Sequence, residues 1–108
     1  MPSTKPITRI TLFKIPAVED QEKLLAIYKE MPNKAKKDGK SYILSVTAGP
    51  AFEDQRSQGF TVAAISEFAS KEDMAYYDND CEAHAALKGV AKQLHQGVMM
   101  VYFESIFA

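Results

Sequence analysis

The closing stretch VMMVYFESIF (residues 98–107) constrains the fold of this chain more than any other. Read as a strand, it is apolar on both faces. Val98, Met100, Tyr102 and Ile106 fall on one side, and Met99, Val101, Phe103 and Phe107 on the other. Such a strand needs cover on both sides, and the rest of the chain holds too few helical segments to give it.

The remaining elements follow from periodicity and punctuation. ITRITLFKI (residues 7–15) is rich in β-branched residues and stops at Pro16, which predicts a strand. Arg9 within it is either a snorkelling edge residue or a cation aimed at a ligand or a buried acid. Residues 18–31 carry Leu24, Ile27, Tyr28 and Met31 at helical spacing, with Glu19 and Asp20 in the first turn, and Pro32 is expected to end or kink that helix. Residues 33–37 allow one further turn before Asp38-Gly39. SYILSVTA (residues 41–48) reads as a second strand stopped by Gly49-Pro50, followed by a polar loop over residues 51–59. FTVAAISEFA (residues 60–69) is a third, with the small residues Ala64 and Ser66 leaving room on one face for an aromatic ring or a ligand.

Ser70, with Asp73 three residues on, opens a short helix bearing Met74 and Tyr77. Asn79 and Glu82 fit the capping box of another helix, which runs to residues 95–96 and closes at Gly97. The order is strand, helix, strand, strand, helix pair, strand. That is the α+β, ferredoxin-like split βαβ arrangement with a four-stranded antiparallel sheet. Two helical connections cover only one face of it. The exposed remainder, roughly several hundred square ångströms of apolar surface, calls for a second copy, so a homodimer is expected.

Composition narrows the function. One domain spanning residues 1–108 is expected. Thirteen basic against fourteen acidic residues leave a net charge of −1, so no global field recruits nucleic acid or an anionic membrane. The Lys34–Lys37 run is diluted by Asp38 and reads as a solvated helix end. A single cysteine permits no intrachain disulfide, residues 1–6 lead into no signal-peptide pattern, and no apolar run is long enough to span a membrane. Cytoplasmic residence is the expectation.

The chemistry concentrates in MAYYDNDCEAHAALKG (residues 74–89), which holds two tyrosines, the lone cysteine and one of only two histidines. His84 falls near a helix start, where the partial positive charge disfavours imidazolium, so a neutral ring beside a cavity is a candidate base. The plainer alternative is a partly buried histidine bonded to a backbone carbonyl. Cys81 with His84 faintly matches a nucleophile–base pair, but a small residue packed in the first helical turn explains it as well. His84 and His95 lie eleven residues apart on one helix, about 16 Å, too far to share a metal ion.

These residues resemble the stress-responsive dimeric α/β-barrel (Dabb) family, which includes the plant olivetolic acid (polyketide) cyclase. The similarity is carried by ITRITLFKI, EKLLAIYKEMP, GFTVAAISEFASKEDMAYY, Ala83-His84 and VMMVYFESIF, with Phe68-Ala69-Ser70-Lys71-Glu72-Asp73 the most specific piece. Membership implies two ferredoxin-like subunits whose sheets close into a barrel around apolar cavities, with no metal or cofactor. In the cyclase branch a tyrosine and a histidine act on a polyketide chain. The resemblance carries those roles to Tyr77 and His84, although the segment between them is one residue longer here. Arg9 and Val62 stand where the cyclase has histidines, Tyr28 matches a pocket tyrosine, and His95 replaces a large aromatic.

The expected cavity is lined by Arg9, Phe13, Tyr28, Val62 and Ala64, and by His95, Met100 and Tyr102. Its expected occupant is a small apolar molecule. In the enzyme reading His84 removes a proton next to a carbonyl while Tyr77 orients or protonates the oxygen, as in cofactor-free aldol or Claisen-type cyclisation or a related decarboxylation or isomerisation. The alternative is a non-catalytic, stress-responsive dimer that binds a small molecule or serves a structural role.

Overall fold

A computed structural model of the chain describes residues 5–107. The signal-peptide reading above rests mostly on residues 1–4 and so lies largely outside them.

The elements are β1 (Ile7–Phe13), α1 (Val18–Lys34), β2 (Lys36–Lys37), β3 (Lys40–Ser41), β4 (Ile43–Pro50), a 3₁₀ turn (Gln55–Ser57), β5 (Val62–Phe68), α2 (Lys71–Asn79), α3 (Glu82–Leu94) and β6 (Val98–Glu104). The main sheet has the order β4-β5-β1-β6 and every pairing is antiparallel, as the split βαβ pattern predicts. The helices lie over one face. There Ile7, Phe13, Val62 and Phe68 from the sheet meet Leu24, Tyr28 and Met31 of α1 and Tyr77 and Leu87 of α2 and α3 in one buried core.

β6 is an edge strand that the helices do not reach. Its side chains are between 37% and 51% exposed from Val98 to Phe103, on both faces, whereas the core-facing residues of β1 and β5 are almost wholly buried. The uncovered face of the sheet continues from Met99, Val101 and Phe103 across Ile10 and Leu12 to Ile65.

Local departures from expectation have physical causes. α1 runs three residues past Met31 with Pro32 inside it. Proline lacks one donor, but in a last turn the loss is one bond, and the Ala35 amide still reaches the Met31 carbonyl at 2.9 Å. Residues 36–41 form a hairpin instead of extending the helix. Asp38 and Gly39 both adopt positive φ (53° and 76°), the geometry of a two-residue Asp-Gly turn. β4 is displaced toward Pro50, with an irregularity between Ile43 and Ser45, and tolerates Pro50 because it is an edge strand.

The Ser70 cap forms as expected, its hydroxyl accepting from the Asp73 amide at 3.1 Å. The Asn79 cap does not. Asn79 completes α2, and α3 starts after Cys81, whose side chain makes no capping bond. Among the described residues no helix is long and apolar enough to cross a membrane. Replacing Ser70 by Ala should leave the α2 amide unpaired and lower unfolding stability by about 1 kcal/mol, measured by urea denaturation.

Candidate active site

His84 owes its setting to the two-residue junction between α2 and α3. The amides of Asp80 and Cys81 both bond to the Tyr76 carbonyl, at 2.8 and 2.9 Å. A continuing helix would have brought the Cys81 amide to the Tyr77 carbonyl instead. That carbonyl meets His84, whose Nδ1 lies 2.8 Å from it. A carbonyl oxygen only accepts, so Nδ1–H is the donor and the lone pair of the neutral ring resides on Nε2. The Tyr77 ring stacks on the imidazole, with centroids 3.6 Å apart and planes 13° from parallel. One residue therefore fixes both the tautomer and the plane of the ring.

His84 lines a cleft of about 360 Å³ between α3, the end of α1 and the β1–β6 edge. α3 contributes His84, Leu87, Lys88, Ala91 and Lys92, which recur at helical spacing along one side, and His95 follows just after its end. The sheet contributes Arg9, Thr11, Phe13, Val98 and Met100, and α1 contributes Tyr28. Six residues expected from the sequence thus come together: Arg9, Phe13, Tyr28, His84, His95 and Met100. Four do not line the cleft. Val62 and Ala64 are core residues, because α1 and α2 close over β5 and the room beside Ala64 is packed. Tyr102 is half exposed on β6 opposite Arg9, where no helix overhangs the strand. Tyr77 is fully buried behind the imidazole, and its hydroxyl has no hydrogen-bond partner. The Tyr76 hydroxyl points elsewhere, donating to the Lys36 carbonyl at 2.9 Å.

Arg9 does not snorkel. It is 8% exposed, donates to Thr11 Oγ1 at 2.8 Å and pairs with Asp78 Oδ1 at 3.0 Å, while its Nε has no partner. Asp78 Oδ1 also lies 3.9 Å from His84 Nδ1, behind the bond to the Tyr77 carbonyl. Neither Asp78 nor the two lysines was singled out from sequence. The lysines repeat at i+4 and i+8 from His84, a signal that a search along that helix face would have found. Cys81 is buried, at the residue before α3. Among the described residues no three His, Cys, Asp or Glu side chains converge as a metal site would require.

The electrostatics follow from burial. The His84 pKa falls to about 4, first because burial disfavours the imidazolium; the Tyr77 carbonyl opposes this, and Arg9 and Lys88 push it further down. Burial likewise lifts the Tyr28 hydroxyl to about 12, against the pull of Arg9, and raises that of Tyr77. His84 is thus a neutral acceptor throughout the physiological range. The stability consequence has a definite sign. Between about pH 6.5 and 4 the unfolded imidazole holds a proton that the folded one does not, so stability falls as the pH drops through that window. In urea titrations at about pH 7 and pH 4.5, His84→Gln should lose less stability on acidification than the parent, by roughly 2–3 kcal/mol.

Comparison with known proteins places this geometry. The model of the stress responsive A/B barrel domain matches residues 7–105. A fusaristatin A biosynthesis cluster protein from Gibberella zeae is 40% identical over 99 residues, covering 91% of this chain and 72% of that protein. Among solved structures, the hydroxynitrile lyase from Passiflora edulis superposes with a TM-score of 0.79 at 14% identity, covering 97% of both chains. The cofactor-independent oxygenase SnoaB from Streptomyces nogalater gives 0.70 at 9% identity, covering 94% of this chain and 93% of its own. A dimeric protein of unknown function and ferredoxin-like fold from Bacteroides fragilis gives 0.71 at 21% identity, covering 93% and 96%. With nearly its whole length matched, the chain belongs to the stress responsive A/B barrel domain family.

Proposed function

We propose that this protein is a cofactor-free acid–base catalyst in which His84 Nε2 takes a proton from carbon next to a carbonyl of a largely apolar keto compound. The observation that carries this reading is the 2.8 Å bond from His84 Nδ1 to the Tyr77 carbonyl, which leaves the basic nitrogen unprotonated on a ring lining a cleft with Phe13, Val98 and Met100 on its sheet side. Polyketide cyclase-like aldol or Claisen-type ring closure is one reaction that begins with this step; decarboxylation and isomerisation of keto compounds are others. The neighbouring folds include a lyase and a cofactor-independent oxygenase, and the relative from Gibberella zeae is a biosynthesis cluster protein, which supports metabolite chemistry in this fold. Tyr77 acts by stacking and through its backbone carbonyl rather than as the group that meets the substrate oxygen. Arg9, held by Asp78, stabilises the oxygen that gains charge.

A non-catalytic binding dimer is the second reading, favoured by the burial of Tyr77 outside the cleft lining. One measurement separates the two. Deuterium exchange at C2 of ethyl 3-oxooctanoate, followed by NMR near pH 6, should be accelerated by the parent protein. His84→Ala should lose about 10²–10⁴-fold of that acceleration, whereas Tyr77→Phe, which keeps ring and carbonyl, should lose less than about tenfold. Exchange at the uncatalysed rate would favour the binding dimer.

The working form is a homodimer joined through the open sheet face. Its support is the uncovered apolar surface from Met99, Val101 and Phe103 to Ile65, together with neighbours described as dimeric ferredoxin-like proteins. The single unpaired thiol suits a cytoplasmic setting. Sedimentation at micromolar concentration should give the dimer mass, and Val101→Glu, on that face, should shift the protein toward monomer.

A further inference from the structure

The cleft around His84 is charged in a way the chain as a whole is not. The protein carries a net charge of −1, yet the cleft wall holds three cations, Arg9, Lys88 and Lys92, and no carboxylate. Asp78 pairs with Arg9 from outside that wall, at 3.0 Å. Lys88 donates to the Asp78 backbone carbonyl, which leaves its charge uncompensated. Lys92 has no ion-pair partner among the described residues. The two lysines stand four residues apart on one helix face, a spacing at which like charges repel. Opposite them the wall is apolar, formed by Phe13, Tyr28, Val98 and Met100. An anion bridging Lys88 and Lys92 relieves the repulsion, and an apolar body attached to it covers the remaining wall.

We infer that the cleft takes an amphipathic carboxylate, a keto acid whose carboxylate is held by Lys92 and Lys88 and whose apolar body lies along Phe13, Tyr28 and Met100. This rests on the reading of His84 as base only for the chemistry, not for binding. Its consequence for catalysis is direct. The groups facing the imidazole are Tyr77 and Asp78 of α2, Arg9 of β1 and Lys88 of its own helix, and the two cations weaken it as a base. A carboxylate placed between the lysines offsets part of that field, so the bound substrate itself makes Nε2 more basic. In the step that follows, the C–H proton moves to Nε2, the C–H bonding pair becomes a C=C bond, and the carbonyl π pair moves to the oxygen, giving an enolate. Arg9 and Lys88 then offset its charge.

The test compares octanoate with octanamide, matched in length and differing in charge, by two-dimensional NMR titration near pH 7 with the Met100 methyl and the α3 amides as reporters. Octanoate should bind about tenfold or more tightly than octanamide, with the advantage shrinking at high salt and in Lys92→Met, and lost in Lys92→Glu. The same preference should persist in His84→Gln, which separates failure of the base assignment from failure of this one. Equal binding of the two probes, an advantage unchanged in Lys92→Glu, or no shift in the cleft at millimolar probe would overturn the inference. Coenzyme A serves as the phosphate-bearing control. Its binding at the cleft in preference to octanoate would overturn the carboxylate assignment in favour of a phosphate anchor.

Discussion

The constraint on which this molecule depends is that three helices must serve a four-stranded sheet from one side. α1 lies along β4 and against α3, and α2 sits near β5, so the closest packing gathers over β4 and β5. Nothing remains to cover β6 on the helix side, or any strand on the other side. Both the cleft and the open apolar face follow from that shortfall. Where α3 overhangs β1 without reaching across β6, an open cleft is left, floored by Phe13, Val98 and Met100. On the far face the apolar residues stay in solvent, a state that soluble monomers seldom sustain over such an area.

Within that frame the site hangs on a helix break. Had α2 run on, the Tyr77 carbonyl would have accepted an intrahelical bond and His84 would lack a partner for Nδ1. The chain instead turns at Asp80 and Cys81, frees that carbonyl, and offers it to a ring that the Tyr77 side chain already holds in plane. The Tyr77–His84 spacing serves this geometry. The spacing sets a stack and a backbone bond, and the tyrosine hydroxyl ends in the core instead of the cleft.

Much of the fold was legible because binary patterning decides it. β1, β5 and β6 and the apolar stripes of α1 and α3 were each readable from period alone, and the Ser70 cap from its spacing to Asp73. The misreadings sit where two local rules compete. Asn79 is a good cap, but it is also an acceptable last residue of α2, and closure of α2 on the Tyr76 carbonyl takes precedence. Asp38-Gly39 was read as a helix stop, although the same dipeptide is a two-residue hairpin turn. The site was half legible. His84 could be placed on a helix flank, but the register that brings Arg9 to Asp78, sixty-nine residues away, is a tertiary fact that no local pattern encodes. Ala64 is expected beside a cavity because it and Ser66 are small, and Val62 because the family resemblance places it there, yet what fills that space is set by facing elements, and here they pack it.

Arg9 sets the electrostatic character of the cleft. Burial alone already makes His84 a weak base. The permanent cation of Arg9 lowers that basicity further, and Lys88 has the same effect. A design that only needed a strong base would avoid both. The arrangement makes sense when the group to be stabilised is anionic, because cations that hinder proton uptake by the imidazole are the same ones that lower the energy of an enolate beside it. The balance then turns on Asp78. Paired to Arg9 at 3.0 Å and 3.9 Å from the imidazole, it moderates the guanidinium's pull on His84 while leaving the Arg9 Nε without a partner. Asp78 therefore moderates the field of Arg9 at the imidazole, though it forms no part of the wall itself.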